Sequence, residues 1–274
     1  MPIEWTVIRH SERLDHYYKD WQERLDDAGF CERELTVPPE HRDALLIRQR
    51  NTTPLSHHGV EYARQSGQAL RSQAPFAAVL CSPMLRCVQT ADVICQQLDT
   101  PHTFGVVSPA TTDLPPSRLT SHVAGQEPGL MELMDPSFYH AFEMDDVPWP
   151  TVEAVGAAFA HADTDYAPVM PAEELEMPPN EYFSGFDQRC QTVRRRVDRA
   201  LAPAEGETLR VLIVAHSPHI PVWFFDDLIQ TAPHHGYCSM ASQAAGDRGG
   251  LTVTLSTDHL ERNEEIARPP TSRL

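Results

Sequence analysis

The pattern that most limits how this chain can fold occurs three times: a short aliphatic and β-branched run stops at a polar cluster and then turns helical. Residues 4–9 end at His10-Ser11-Glu12-Arg13, residues 77–81 at Ser82-Pro83, and residues 209–215 at His216-Ser217-Pro218. Residues 251–256 alternate as a fourth strand, and 103–107 form a weaker one. Amphipathic helical stretches lie between them at 56–73, opened by Ser56 as N-cap, at 84–98 after Pro83, and at 184–201. Strands alternating with helices specify an α/β protein of three α/β/α layers, with a mainly parallel central sheet covered on both faces. Such sheets bind ligands beyond the carboxyl ends of their strands, where the three polar clusters meet.

The pattern breaks over residues 108–183, which are rich in proline and acids, with short helical hints at 136–142 and 151–161. We read this stretch as an inserted cap or long loop within a domain spanning 1–257, and 258–274 as a loose tail. The chain has 274 residues and a formal net charge of −17, and its excess of acid is localised. No Lys or Arg stands between Arg118 and Arg189, while 14 acids run from Glu127 to Asp187. That field repels nucleic acid and anionic lipid, so neither is an expected partner. The acids serve either as a solvated surface or as a lid that screens substrates by charge. Arg194-Arg195-Arg196 lies on a predicted helix, where adjacent residues point apart, so it is not a nucleic-acid patch.

No apolar run reaches the roughly 18 residues of a membrane span. Met1-Pro2-Ile3-Glu4-Trp5 lacks the segments of a secretory leader, and the expected location is cytoplasmic. The six cysteines form no CxxC pair and are expected to be free, buried thiols. The adjacent histidines of His57-His58 and of His234-His235 would point apart on a helix, so no metal and no cofactor is expected.

At the strand ends, Arg9-His10-Ser11-Glu12-Arg13, Ser82 to Arg86 and His216-Ser217 would bring together two histidines and three arginines. Arginine forks match phosphate oxygens, and a neutral imidazole is a competent nucleophile toward phosphorus. Neighbouring guanidinium groups disfavour imidazolium and would keep His10 neutral. These residue types suggest phosphoryl transfer through a phosphohistidine. Glu12 and Asp15 are expected to pair with Arg13 or cap backbone amides. Tyr17, Tyr18 and Trp21 pack as the aromatic face of a helix, unless one lines the pocket mouth and suits an aryl phosphate.

Val7-Ile8-Arg9-His10-Ser11-Glu12-Arg13-Leu14-Asp15 resembles the Arg-His-Gly signature of the histidine phosphatase (phosphoglycerate mutase-like) superfamily. The string Cys81-Ser82-Pro83-Met84-Leu85-Arg86-Cys87-Val88-Gln89-Thr90-Ala91 is similar to that of the TULA, or suppressor of T-cell receptor signalling, phosphatase domain and the related ecdysteroid-phosphate phosphatases. Pro54-Leu55-Ser56, Glu127-Pro128-Gly129-Leu130-Met131-Glu132 and Val214-Ala215-His216 resemble further segments of that group. The resemblance implies a phosphoglycerate mutase-like fold and a metal-independent phosphomonoesterase. Its nucleophile would be His10, its phosphate pocket Arg9, Arg13, Arg86 and His216, and its proton donor Glu132. As an acid, Glu132 must be protonated when the cycle starts, which burial or nearby acids would favour.

One departure is Ser11, where the family has Gly. Its hydroxyl would either donate to the phosphate or, if φ had to be positive, mark a strained backbone. The expected substrate is a phosphorylated small molecule or phosphotyrosine, and the resemblance allows a homodimer, since members of the family often dimerise. No ubiquitin-binding or SH3-like segment is recognisable. Two other readings stay open: a phosphoglycerate-type mutase, for which the acidic insert offers no cations to clamp a substrate carboxylate, and a phospho-ligand binding scaffold weakened by Ser11.

Overall fold

Side chains alternate along β1 (Ile3–Arg9) between two buried faces, and this alternation sets the layers of the molecule. A computed structural model of the chain describes residues 3–49, 52–98, 104–105, 123–133, 150–175, 183–201, 208–224, 236–245, 251–256 and 260. After β1 come α1 (Ala28–Glu34), α2 (His57–Leu70), β2 (Ala78–Cys81), α3 (Leu85–Gln97), β3 (Phe104–Gly105), β4 (Val123–Gln126), α4 (Val152–Ala158) and β5 (Ala162–Asp163). They are followed by α5 (Phe183–Leu201), β6 (Leu209–Ala215), α6 (His219–Phe224), β7 (Met240–Ala245) and β8 (Leu251–Ser256).

Among the described residues the central sheet has six strands in the order β4-β2-β6-β1-β7-β8. The first four are mutually parallel, and β7 and β8 are antiparallel additions at one side. On one face Ile8, Val79, Leu212 and Val214 pack with residues of α1, α2, α3 and α4. On the other, Trp5, Val7, Leu80 and Ile213 pack with Phe186 and Val193 of α5 and Ile220 and Trp223 of α6. Trp5 and Trp223 meet edge to face at 5.3 Å. Each fully buried aliphatic side chain contributes about 1.5–3 kcal/mol, so the alternation strongly fixes the register of β1. The expected three-layer α/β/α architecture is therefore the one observed.

The register levels the parallel strands at their carboxyl ends. Arg9 lies opposite Ala215, Cys81 opposite Val214, and Cys81 also opposite Gln126. His10, Ser82, Glu127 and His216 are each the first residue beyond a strand. Backbone bonds tie the row together: His10 N–H donates to Ala215 O (2.8 Å), Ser82 N–H to Val214 O (3.0 Å) and Glu127 N–H to Cys81 O (2.7 Å).

Two strands of this sheet are illegible in the sequence. Val123–Gln126 falls in the stretch read as an insert, yet it forms the edge strand beside β2. Met240–Ala245 (MASQAA) has neither alternation nor β-branched residues, and pairing with Trp5 to Ile8 supplies its conformation. The helical hint at 151–161 appears as α4, with Thr151 accepting from Ala154 N–H as N-cap. The hint at 136–142 lies outside the described residues, as does the expected tail except Leu260, which packs against the core.

Candidate active site

The loop after β1 is the best-tied part of the site. His10 is 2% exposed, and its Nδ1 lies 2.8 Å from Ser11 O. A carbonyl can only accept, so Nδ1 carries the hydrogen and the Nε2 lone pair is left available in the neutral ring. Burial, then Arg86, His216 and Arg9, hold the His10 imidazole well below its usual pKa. The sequence reading assigned this effect to the arginines; desolvation is the larger cause.

Ser11 corrects an expectation. Its hydroxyl donates to Gly59 O (2.5 Å) and its N–H to Thr90 Oγ1 (3.0 Å), while Thr90 donates in turn to Arg86 O (2.7 Å). The side chain is fully buried, and its hydroxyl is turned to the Gly59 carbonyl of α2. Nor is Ser11 among the described non-glycine residues of positive φ, so the serine stands where glycine is usual without backbone strain.

Glu12 neither pairs with Arg13 nor caps an amide. Its carboxylate accepts from Ser56 Oγ (2.7 Å) and Tyr17 Oη (3.3 Å), and its carbonyl accepts from Ser56 N–H (2.9 Å). Ser56 also caps α2 by accepting from Gly59 N–H (2.9 Å). The close approach requires glycine at 59, since a Cβ there would lie 2.1 Å from Glu12 O. Arg13 pairs with Asp15 through Nε and Nη2, both at 2.9 Å, as expected. It is close enough for its charge to act on Arg9, His216 and Tyr237.

Arg86 lies in the first turn of α3, 3% exposed, and its Nη2 contacts Glu132 Oε2. The same carboxylate oxygen is 3.6 Å from His216 Nδ1, while His216 Nε2 meets Ser82 Oγ at 2.9 Å. The His10 and His216 rings cross at 5.4 Å. Burial, Arg86 and His219 hold His216 well below its ordinary pKa. Cys87 Sγ lies 3.6 Å from His216 Nε2, and burial pushes its thiol up to about 12, which leaves it protonated.

Glu132 differs from expectation in its company: it meets a guanidinium and an imidazole rather than other acids. In the same segment, burial pushes the Glu127 carboxyl up to about 7. It accepts from Gly129 N–H, Val169 N–H, Met170 N–H and Tyr166 Oη at 2.9–3.2 Å, binding residues 166–170 to the end of β4.

His10, Arg9, Arg13, Arg86, His216 and Glu132 are thus brought together at the carboxyl edge of the sheet. Sequence reasoning missed Tyr237, whose ring lies under the Arg9 guanidinium at 4.5 Å and 5.9 Å from His10. Tyr18 and Trp21 belong to the core instead, and Tyr17 is half-buried against it. No signal marks Tyr237 in the sequence, because the turn that presents it depends on Cys238 at φ +54°. The three consecutive arginines of α5 point apart, to Trp223 O, Gln191 O and Val169 O. His57 bonds Arg33 O at the surface while His58 is buried; His234 and His235 lie outside the described residues. Among the described residues no three His, Cys, Asp or Glu side chains group as a metal site, and no helix is long and apolar enough to cross a membrane.

Residues 39–104 match the model of the histidine phosphatase superfamily (branch 1). The chain is 30% identical over 219 residues to the ecdysteroid-phosphate phosphatase of Drosophila melanogaster, covering 77% of this chain and 25% of that protein. It is 29% identical over 217 residues to ubiquitin-associated and SH3 domain-containing protein A of Mus musculus, covering 77% of this chain and 30% of that one. It therefore spans only about a quarter to a third of these relatives' length. The ecdysone phosphate phosphatase of Bombix mori, solved in complex with tungstate, shares the fold with a TM-score of 0.63 at 17% identity, over 100% of this chain and 98% of that one.

Proposed function

We propose, for a chain that belongs to the histidine phosphatase superfamily, that it hydrolyses phosphate monoesters through a phosphohistidine on His10, without a metal. The observation that carries this is the His10 ring: Nδ1 pinned to Ser11 O, the ring held neutral, and Nε2 left as a nucleophile beside Arg9, Arg86 and His216.

In the first step the Nε2 lone pair attacks phosphorus in line and the ester P–O bond breaks. Arg9, Arg13, Arg86 and His216 hold the equatorial oxygens, whose charge grows in the transition state. Ser82 donates its hydroxyl hydrogen to His216 Nε2, so that Nδ1–H faces the phosphoryl group. Glu132 gives its proton to the leaving oxygen; an incoming phosphate competes with its carboxylate for Arg86 and favours the protonated acid. In the second step a water gives its proton to Glu132, its oxygen attacks phosphorus, the P–N bond breaks, and inorganic phosphate leaves neutral His10.

The substrate we propose is an aryl or tyrosine phosphate, with the half-exposed Tyr237 beside Arg9 and His10 as the aromatic wall for its ring. The relatives support grouping the chain with the ecdysteroid-phosphate and TULA-type phosphatases. All six cysteines are buried and none is in a disulfide, which suits the reducing cytoplasm. The acid-rich stretch 108–183 is proposed as the region where specificity resides.

The test is hydrolysis of p-nitrophenyl phosphate across pH with EDTA present, comparing the natural protein with His10→Ala. Turnover untouched by EDTA and abolished by the substitution is expected. Activity that survives in His10→Ala, or that EDTA removes, refutes the proposal.

A further inference from the structure

The segment bearing Glu132 leaves β4 and is held from the opposite layer. Gly129, Met131 and Glu132 turn their carbonyls toward α5, where one side chain meets all three. Arg189 Nη1 donates to Gly129 O at 2.7 Å and Met131 O at 2.8 Å, and Nη2 reaches Glu132 O at a longer 3.5 Å. A guanidinium is a rigid planar fork, so acceptors that share it are fixed relative to one another. Arg189 is itself oriented: its guanidinium lies 5.1 Å from the ring centre of the buried Phe186. One helical turn further on, the segment presses against α5 so closely that a Cβ on Gly129 would fall 2.3 Å from Val193 Cγ2.

We propose that Arg189 is the positioning residue of the general acid. By clamping the carbonyls on either side of the Glu132 side chain it holds that carboxylate beside Arg86 and His216, at the place where the leaving oxygen departs. The bonds of Arg189 to this segment all go to backbone carbonyls, so it acts through Glu132. The proposal rests on the phosphomonoesterase reading above.

A displaced acid has a kinetic signature that general damage lacks. An ester whose leaving group departs as a stable anion needs no proton, whereas an alkyl ester does. The experiment measures kcat/KM, which reports phosphohistidine formation, for p-nitrophenyl phosphate, phenyl phosphate and an alkyl phosphate. The proteins are the natural chain, Arg189→Met, Arg189→Lys and, as reference, Glu132→Gln. Misplacing a catalytic group by about 1 Å costs about 100-fold. Arg189→Met should therefore lose about that factor on the alkyl ester and less than about threefold on p-nitrophenyl phosphate. Glu132→Gln should show the same ester dependence, and Arg189→Lys a weaker form of it.

Equal losses on all esters, or none, in a variant that melts like the natural protein overturn the role of Arg189. If Arg189→Met does not fold, Arg189→Lys must show the ester dependence by itself, and a uniform loss there overturns the proposal equally. A natural protein that cleaves none of the esters and takes no radiolabelled phosphate on His10 brings down the phosphomonoesterase reading, and Arg189 with it. A labelled, active enzyme with ester-independent Arg189 variants brings down Arg189 alone.

Discussion

Gly59→Ala sets two physical effects against each other. Gly59 is the third residue of α2, and alanine is the better helix former there by up to about 1 kcal/mol, so propensity taken alone predicts a more stable protein. The structure predicts the reverse. The new Cβ would lie 2.1 Å from Glu12 O and 3.0 Å from Glu12 C, backbone atoms that cannot swing aside as a side chain would. Relief requires α2 and the loop after His10 to separate by more than an ångström. Ser56 N–H would then lose Glu12 O (2.9 Å), and Ser11 Oγ would lose Gly59 O (2.5 Å). Two buried pairs broken at about 1–3 kcal/mol each, with about 1–3 kcal/mol of overpacking, exceed the gain in propensity by about 2 kcal/mol or more. Urea unfolding should show a midpoint lower by about 1–2 M, at a slope of about 1–3 kcal/mol/M. Because the loop carries Ser11 O, which orients His10, kcat/KM should fall by about 100-fold in protein that is still folded. A variant as stable as the natural chain, with kcat/KM within about twofold, would refute the steric argument.

Two further predictions follow the same geometry. Ser11→Gly removes the bond to Gly59 and frees the unfolded backbone, so stability should drop by about 1–2 kcal/mol in urea titration while kcat/KM changes by less than about threefold. A tenfold or larger kinetic loss would return the hydroxyl to the phosphate pocket. His10, His216 and His219 are buried with pKa values held below the usual 6.5, His219 at about 3. Folding therefore favours their neutral forms: the stability they contribute is present above pH 6.5 and is lost as pH falls below it. His219→Gln should flatten the decline between pH 6.5 and 4 by about 1.4 kcal/mol per pH unit, and an unchanged slope would exclude a neutral His219.

Sheet positions whose side chains alternate into two cores were legible in the sequence. The reading of 209–215 has the bounds observed, and those of β1 and β2 agree to within a residue, because apolar runs ending at polar clusters leave little freedom; the alternating run 251–256 has the bounds of β8. What the sequence did not disclose depends on partners distant in the chain. β7 exists because β1 offers it a ladder, and β4 because β2 does. The same division holds in the site. His10, Arg86 and His216 stand at strand ends or in a first helical turn and were found there. Glu132 was placed by resemblance alone, and its clamp by Arg189 spans 57 residues. Tyr237 depends on a turn through a left-handed cysteine, a conformation that no local pattern announces.

The level row of strand ends makes β1 a ruler that is read twice. Val7 faces the α5–α6 side and Ile8 the α2–α3 side, so inserting or deleting one residue in β1 would exchange the two cores. The same frame shift would carry His10 out of line with Ser82 and His216, because Arg9 must stand opposite Ala215 for the three to emerge together. A two-residue change would restore the faces but displace His10 by about 7 Å along the strand. Packing and chemistry therefore proofread one frame: any change of length in this strand that the core rejects, the active site rejects too, and the one length change that the core tolerates is rejected by the active site.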